Sequence, residues 1–382
     1  MFVIDKQGTI MHSALFTPAE MRGVTLRNRI CIAPMCMYSG ENGNANDWHL
    51  MHYGQYLVGG HGLLLSEATA VEPEGRISPK CLGIWNDDNE QAFKRIVEFN
   101  ESWGNTVFGV QLAHAGRKAS VAINWEGGNP IGPADGGWLT KGPSALAFAD
   151  HFPAPEVLDA AGMVSVKAAF VDAAKRSDRA GLDVIEVHAA HGYLLHQFLS
   201  PISNVRSDSY GGSLENRMRF PLEVFEAVRA AFDQNKPVGI RVSATDWVDG
   251  GLSVDDTVAF GKELKKLECD FIHVSSGANV ARAAIPVGPG YHVEMAARIR
   301  AETGLFTIAV GMISDPLQAE TIVRTGQADM VGLARTMLYN THWTWQAAVA
   351  LGQEAAYPPQ YLRAHPSAMG IAVPGTALRA GS

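Results

Sequence analysis

Residues 183–220 read DVIEVHAAHGYLLHQFLSPISNVRSDSYGGSLENRMRF. His188 and His191 stand three apart at the end of an apolar run, and Tyr193 follows at once. Residues so spaced cannot share a face of an extended strand. They meet if the strand ends near His188 and the chain then turns helically, because i and i+3 become neighbours. Two imidazoles would then converge on one point beside a phenol. A His-x-x-His pair can bind zinc, but a catalytic zinc site needs a third ligand and usually nearby carboxylates. The neighbouring apolar runs deliver Gln111 and Arg241 instead. A buried guanidinium disfavours a cation, so no metal is expected and a partly negative atom is the better guest. The competing reading, each imidazole satisfied by a backbone carbonyl, stays open for either histidine and is weaker for both beside Tyr193.

Such a pair needs a rigid frame. Eight short β-rich runs supply one: 29–34, 62–68, 106–114, 183–189, 237–244, 271–277, 306–311 and 330–335. Most are near-continuous apolar runs, as expected of parallel strands covered on both faces. Segments of helical period separate them, notably 87–104, 163–181 and 214–232, with shorter ones at 253–267, 291–303 and 315–325. Eight strands alternating with helices predict an α/β fold, a (β/α)8 TIM barrel. A doubly wound sheet would place a glycine-rich turn after the first strand, where this chain has PMCMYSG. One domain is expected over residues 1–382, with its core at about 14–363 and an irregular tail at 364–382. Two long connections, 115–160 and 199–213, follow strand ends and read as walls or lids of a site on the C-terminal face.

On that face each strand end is a candidate position. The seventh and eighth runs end in AVGMIS and GLAR. Gly311 and Ala334 let backbone N–H groups approach an anion, and Arg335 can fork onto phosphate oxygens. The alternative is that Gly311 only turns the chain and Arg335 pairs with a surface acid. Gln111 offers a donor and an acceptor, which suits a heterocycle of alternating C=O and N–H edges. Arg241 would steady negative charge on that ring. Together they suggest a phosphorylated heterocyclic cofactor across the barrel mouth. Cys36, Tyr38, Glu67, Ala68, His114, Ser275 and Ser276 are the other strand-end side chains.

Composition narrows the class. Charged residues are 18% and hydrophobic ones 47%, against about 25% charged in ordinary soluble chains. The low charge hints at a surface covered by another subunit. A net charge of −8 argues against non-specific nucleic-acid binding. No apolar run reaches the ~18 residues of a membrane span, and the N-terminus does not read as a secretory signal. Four cysteines without a CxxC pair read as reduced thiols of a cytoplasmic protein.

The segments RNRICIAPMCMYS, QLAHAGRKA, EVHAAHGYLLHQFLSPISNVRSDSYGGSLENRMRF and GIRVSA resemble the old yellow enzyme family of flavin-dependent ene-reductases, in order from about residue 14 to 363. PMCMYS and the NWEGG…GGW loop resemble its thermophilic-like, xenobiotic-reductase branch. The resemblance implies FMN, reduced by NADPH or NADH, and hydride transfer from flavin N5 to the β-carbon of an activated alkene. It implies that Pro34, Met35, Cys36, Ala68, Gln111 and Arg241 line the flavin, with Gly311, Ala334 and Arg335 at its phosphate. His188 and His191 would hold the carbonyl oxygen of an enone, Tyr193 would protonate the α-carbon, and Tyr38 would line the substrate pocket. QYLR, residues 360–363, resembles a segment whose arginine enters a neighbouring subunit's site. That makes Arg363 a substrate-site candidate in a homodimer or homotetramer. The competing functions are a flavin-binding redox sensor, supported by Cys36, and a reductase acting mainly on nitro compounds or quinones. An iron–sulfur dienoyl-CoA reductase relative is excluded because no cysteine follows Cys269.

Overall fold

A computed structural model describes residues 12–370. The expected tail 364–382 falls partly outside that range, as do residues 1–11. All eight β-rich runs are strands: β1 Ile30–Ile32, β2 Leu63–Ala70, β3 Val107–Ala113, β4 Val184–Ala189, β5 Val238–Ser243, β6 Phe271–Ser275, β7 Phe306–Ala309 and β8 Met330–Leu333. They pair in parallel in chain order, and β8 pairs with β1 to close the barrel. Helices α1 Asp47–Leu57, α2 Asp87–Trp103, α3 Ala160–Arg179, α4 Leu214–Ala231, α5 Val254–Lys266, α6 Val293–Thr303, α7 Pro316–Arg324 and α8 Trp343–Ala350 connect or follow the strands. Caps start several of them: the Asn86, Ser213 and Ser253 side chains accept the N–H of Asn89, Asn216 and Asp256, satisfying donors that a helix leaves open. The hairpin of Ala19–Met21 and Val24–Leu26 closes the barrel floor, packed on Cys31, Leu63, Leu65, Val184 and Phe271.

The strands lay out the barrel interior in layers because every second residue faces inward. Gly109, Val184, Gly239 and Phe271 form the floor; a Cβ at Gly239 would overlap the Phe271 ring. One step up the same strands stand Gln111, Glu186, Arg241 and His273, and one step further His188, Ser243 and Ser275. Outward-facing Val110, Ile185, Val187, Ile240 and Ile272 pack under the helices in the main core. Residues that carry polar chemistry therefore project from rigid strands over an apolar plug.

Candidate active site

Beyond β4 the chain does turn back on itself, but not helically as the spacing suggested. His191 takes a left-handed φ of 57° and Gly192 one of 71°, and the His191 N–H donates to Ser243 Oγ at 2.9 Å. This turn brings the two imidazoles together at 5.1 Å between centroids, nearly perpendicular at 88°. Tyr193 stands 5.0 Å from His188, also perpendicular at 90°. The Ala190 N–H donates to His188 Nδ1 at 3.2 Å, so His188 carries its proton on Nε2. His191 Nε2 pairs with Ser275 Oγ at 2.8 Å. Burial first, and the Arg241 charge second, hold both imidazoles well below their ordinary pKa. They are neutral donors at physiological pH. Burial, followed by the Cys36 thiol, pushes Tyr193 up, which keeps its proton on the phenol.

Below the pair lies a ring that the sequence only half disclosed. Gln111 Nε2 donates to Glu186 Oε1 at 2.7 Å, and Glu186 Oε2 meets His273 Nδ1 at 2.6 Å. Glu186 offsets part of the Arg241 charge. Gln111 and Arg241 were expected here; Glu186 and His273 were not. Their signal was alternation: Glu186 precedes His188, and His273 precedes Ser275, by two residues on inward-facing strands.

The turn after β1 carries Pro34, Met35, Cys36 and Tyr38, all half-buried. Glu67 fixes it, accepting the Met37 N–H at 3.2 Å and the Tyr53 hydroxyl at 3.1 Å. Ala68 sits beside it, past an irregularity in the β2–β3 ladder, and pairs with Gln111. Cys36 faces a second thiol: donation of its own S–H to Cys81, then burial, pushes the Cys36 pKa well up. A thiol held protonated is a poor nucleophile. The long connection after β3 folds over this turn, as expected of a lid. Trp125 meets the Tyr38 ring edge-on at 6.0 Å, and Asn124 Nδ2 lies 3.4 Å from the Tyr38 hydroxyl.

On the far side a cavity of about 360 Å³ is bounded by Arg241, Ser275, His292, Gly311, Ala334 and Arg335. Arg241 Nε and His292 Nδ1 are buried there without a protein partner among the described residues. Gly311 has φ 117°, and a Cβ on it would press to 3.1 Å from the His292 backbone nitrogen. Unpartnered nitrogens, a glycine wall and an exposed arginine fit a flat polar ring that carries an anion. Arg363 is elsewhere: exposed on the turn Pro359–Ala364, whose Tyr361 packs on Trp345 of the outer helix layer.

Residues 14–354 match the family described as NADH:flavin oxidoreductase / NADH oxidase. The chain belongs to this family. An NADPH dehydrogenase of Geobacillus thermodenitrificans is 44% identical over 355 residues, covering 92% of this chain and 99% of that protein. The Bacillus subtilis NADPH dehydrogenase is 42% identical over the same coverage. Morphinone reductase in complex with tetrahydroNAD superposes with a TM-score of 0.73 at 28% identity, over 91% of this chain and 93% of that one. This is the old yellow enzyme family that the motifs resembled. The protein is an FMN-dependent oxidoreductase that uses NAD(P)H as reductant. Among the described residues no helix is long and apolar enough to cross a membrane.

Proposed function

We propose that this flavin oxidoreductase reduces the activated C=C bond of α,β-unsaturated carbonyl compounds. The observation that carries the reading is the perpendicular pair of neutral imidazoles beside a protonated phenol. His188 and His191 donate to the substrate oxygen and stabilise the charge that grows there, as an oxyanion hole does. Tyr193 delivers its proton to the α-carbon, while Tyr38 and Trp125 cover the substrate and exclude water. Pro34, Met35, Cys36, Ala68, Gln111 and Arg241 hold the isoalloxazine, and Gly311, Ala334 and Arg335 its phosphate. FMN, when bound there, would supply the two-electron redox chemistry that links NAD(P)H to the alkene. Arg363 serves the substrate site of a neighbouring subunit, and the whole chain forms one domain.

The test is anaerobic turnover of cyclohexenone with NADPH. Saturated ketone should form in equal amount to the NADPH oxidised. A protein that oxidises NADPH with oxygen or quinones but yields no ketone overturns the reading.

A further inference from the structure

Lys118 lies in the short turn Gly116–Lys118 after β3. Its Nζ donates to the His191 carbonyl and to the Ala278 carbonyl, each at 2.8 Å. Those two carbonyls belong to residues with left-handed φ, 57° at His191 and 67° at Ala278. Left-handed backbone is costly for a residue with a Cβ, and it persists only where its surroundings over-determine it. The ammonium also lies 5.2 Å from the Tyr193 ring centroid and 4.6 Å from that of Phe148.

The turn that carries Lys118 is itself tied down. Arg117 donates its guanidinium to the Asn279 carbonyl at 2.8 Å and its backbone N–H to Gln197 Oε1 at 3.2 Å. No carboxylate pairs with Lys118 among the described residues. Burial, then the neighbouring Arg117 charge, brings its pKa down to about 7. A buried amine without a counter-ion is expensive, and it sits where the loops after β3, β4 and β6 meet.

From this geometry we propose that Lys118 is a positioning residue: it clamps the left-handed turns at His191 and Ala278, and so fixes the imidazole of His191 against Ser275 and toward the substrate oxygen. The proposal rests on the reading of His191 given above. Lys118 touches backbone oxygens, not the reacting atoms, so its whole effect on ligand binding should pass through His191. An ordinary buried lysine that only stabilised the loops would act independently of that side chain.

A double-mutant cycle separates the two. The probe is 4-nitrophenol, titrated against the flavin absorbance of the FMN-loaded protein. His191→Asn alone should weaken binding at least tenfold; unchanged affinity overturns the His191 reading and the clamp with it. Lys118→Met should weaken binding at least tenfold in the parent but less than twofold in the His191→Asn background, with FMN content unchanged. Equal factors in both backgrounds, or no loss in the parent, overturn the clamp while leaving the His191 reading intact. Lys118→Gln provides a second variant if Lys118→Met does not fold. Its neutral side chain is one bond shorter than lysine's, so it cannot hold both carbonyls as the ammonium does; affinity should fall below the parent's in the same His191-dependent way, and parental affinity overturns the clamp.

Discussion

Charge decides the roles at the scale of single residues. Burial first, and the Arg241 charge next, make a positive charge on His188 and His191 unfavourable. They therefore work as neutral donors, and neither imidazole should contribute a break of its own in substrate binding near the ordinary imidazole pKa of about 6.5. The sign for stability follows: the native pKa values are depressed, so below about pH 6.5 the unfolded chain takes up protons the native site resists, and stability falls with falling pH. Changing either histidine to Ala should slow enone reduction by roughly 10²–10³, with a smaller fall in flavin reduction by NADPH, both read by stopped flow. Tyr193→Phe should leave phenol binding within twofold yet slow alkene reduction by about 10²–10⁴. Equal losses in both half-reactions would remove the tyrosine from proton transfer. Cys36→Ala should keep turnover and shift the flavin potential; a flavin-loaded but inactive variant contradicts this. The placement of His188, His191, Tyr193, Gln111 and Arg241 was legible because these residues stand at strand ends or just inside them. Lys118 was not, because nothing in QLAHAGRKA says that its ammonium meets two carbonyls from distant loops.

The elements show a different balance. Every strand of the barrel was legible, since a buried parallel strand is an apolar run and its interior position needs no partner to be recognised. The longer helices were legible too, from their stripe and their Asn or Ser caps. Helix α1 was not: its buried face includes His49 and His52, and its cap pairs Asn46 with His49, so neither stripe nor cap has ordinary composition. The floor hairpin was missed because its strands, Ala19–Met21 and Val24–Leu26, mix polar with apolar residues and form no apolar run. The lid after β3 was placed correctly, but what anchors it became visible only in three dimensions. Glu72 accepts from Lys141 at 2.5 Å and meets His114 Nε2 at 2.9 Å. Burial alone would raise Glu72; His114 and Lys141 outweigh it and bring the pKa to about 2. A depressed carboxylate contributes stability that is complete above its unfolded pKa of about 4.3 and is lost as pH falls toward the native value. Glu72→Gln should thus cost about 1.5–3 kcal/mol at pH 7 and progressively less below pH 4, measured by chemical denaturation. A penalty that does not change with pH would mean the side chain packs rather than pairs.

The whole molecule carries a face that one barrel leaves open. Trp48 and Met51 of α1, Trp103 of α2, and Tyr361 and Leu362 of the C-terminal turn are all large, apolar and exposed. A cavity of about 770 Å³ lies between α1, α2 and residues 358–361. We predict that a second copy of this chain covers this exposed apolar surface, in keeping with the low charged fraction of 18%. Arg363 follows Tyr361 and Leu362 on the same turn and makes no hydrogen bond to its own barrel's strand-end residues among those described. Its service to a site is therefore predicted to be in trans. Light scattering should give at least a dimer, and Arg363→Ala should raise the KM for enone while the barrel stays folded and yellow. Subunit mixing decides between trans and cis. Arg363→Ala and Tyr193→Phe subunits are each impaired alone. A mixed dimer pairs an intact Tyr193 barrel with the partner's intact arginine, so random exchange of equal amounts should bring activity toward about a quarter of the parent's. If Arg363 acted within its own subunit, no mixed site would hold both groups, and activity would stay at the average of the two variants.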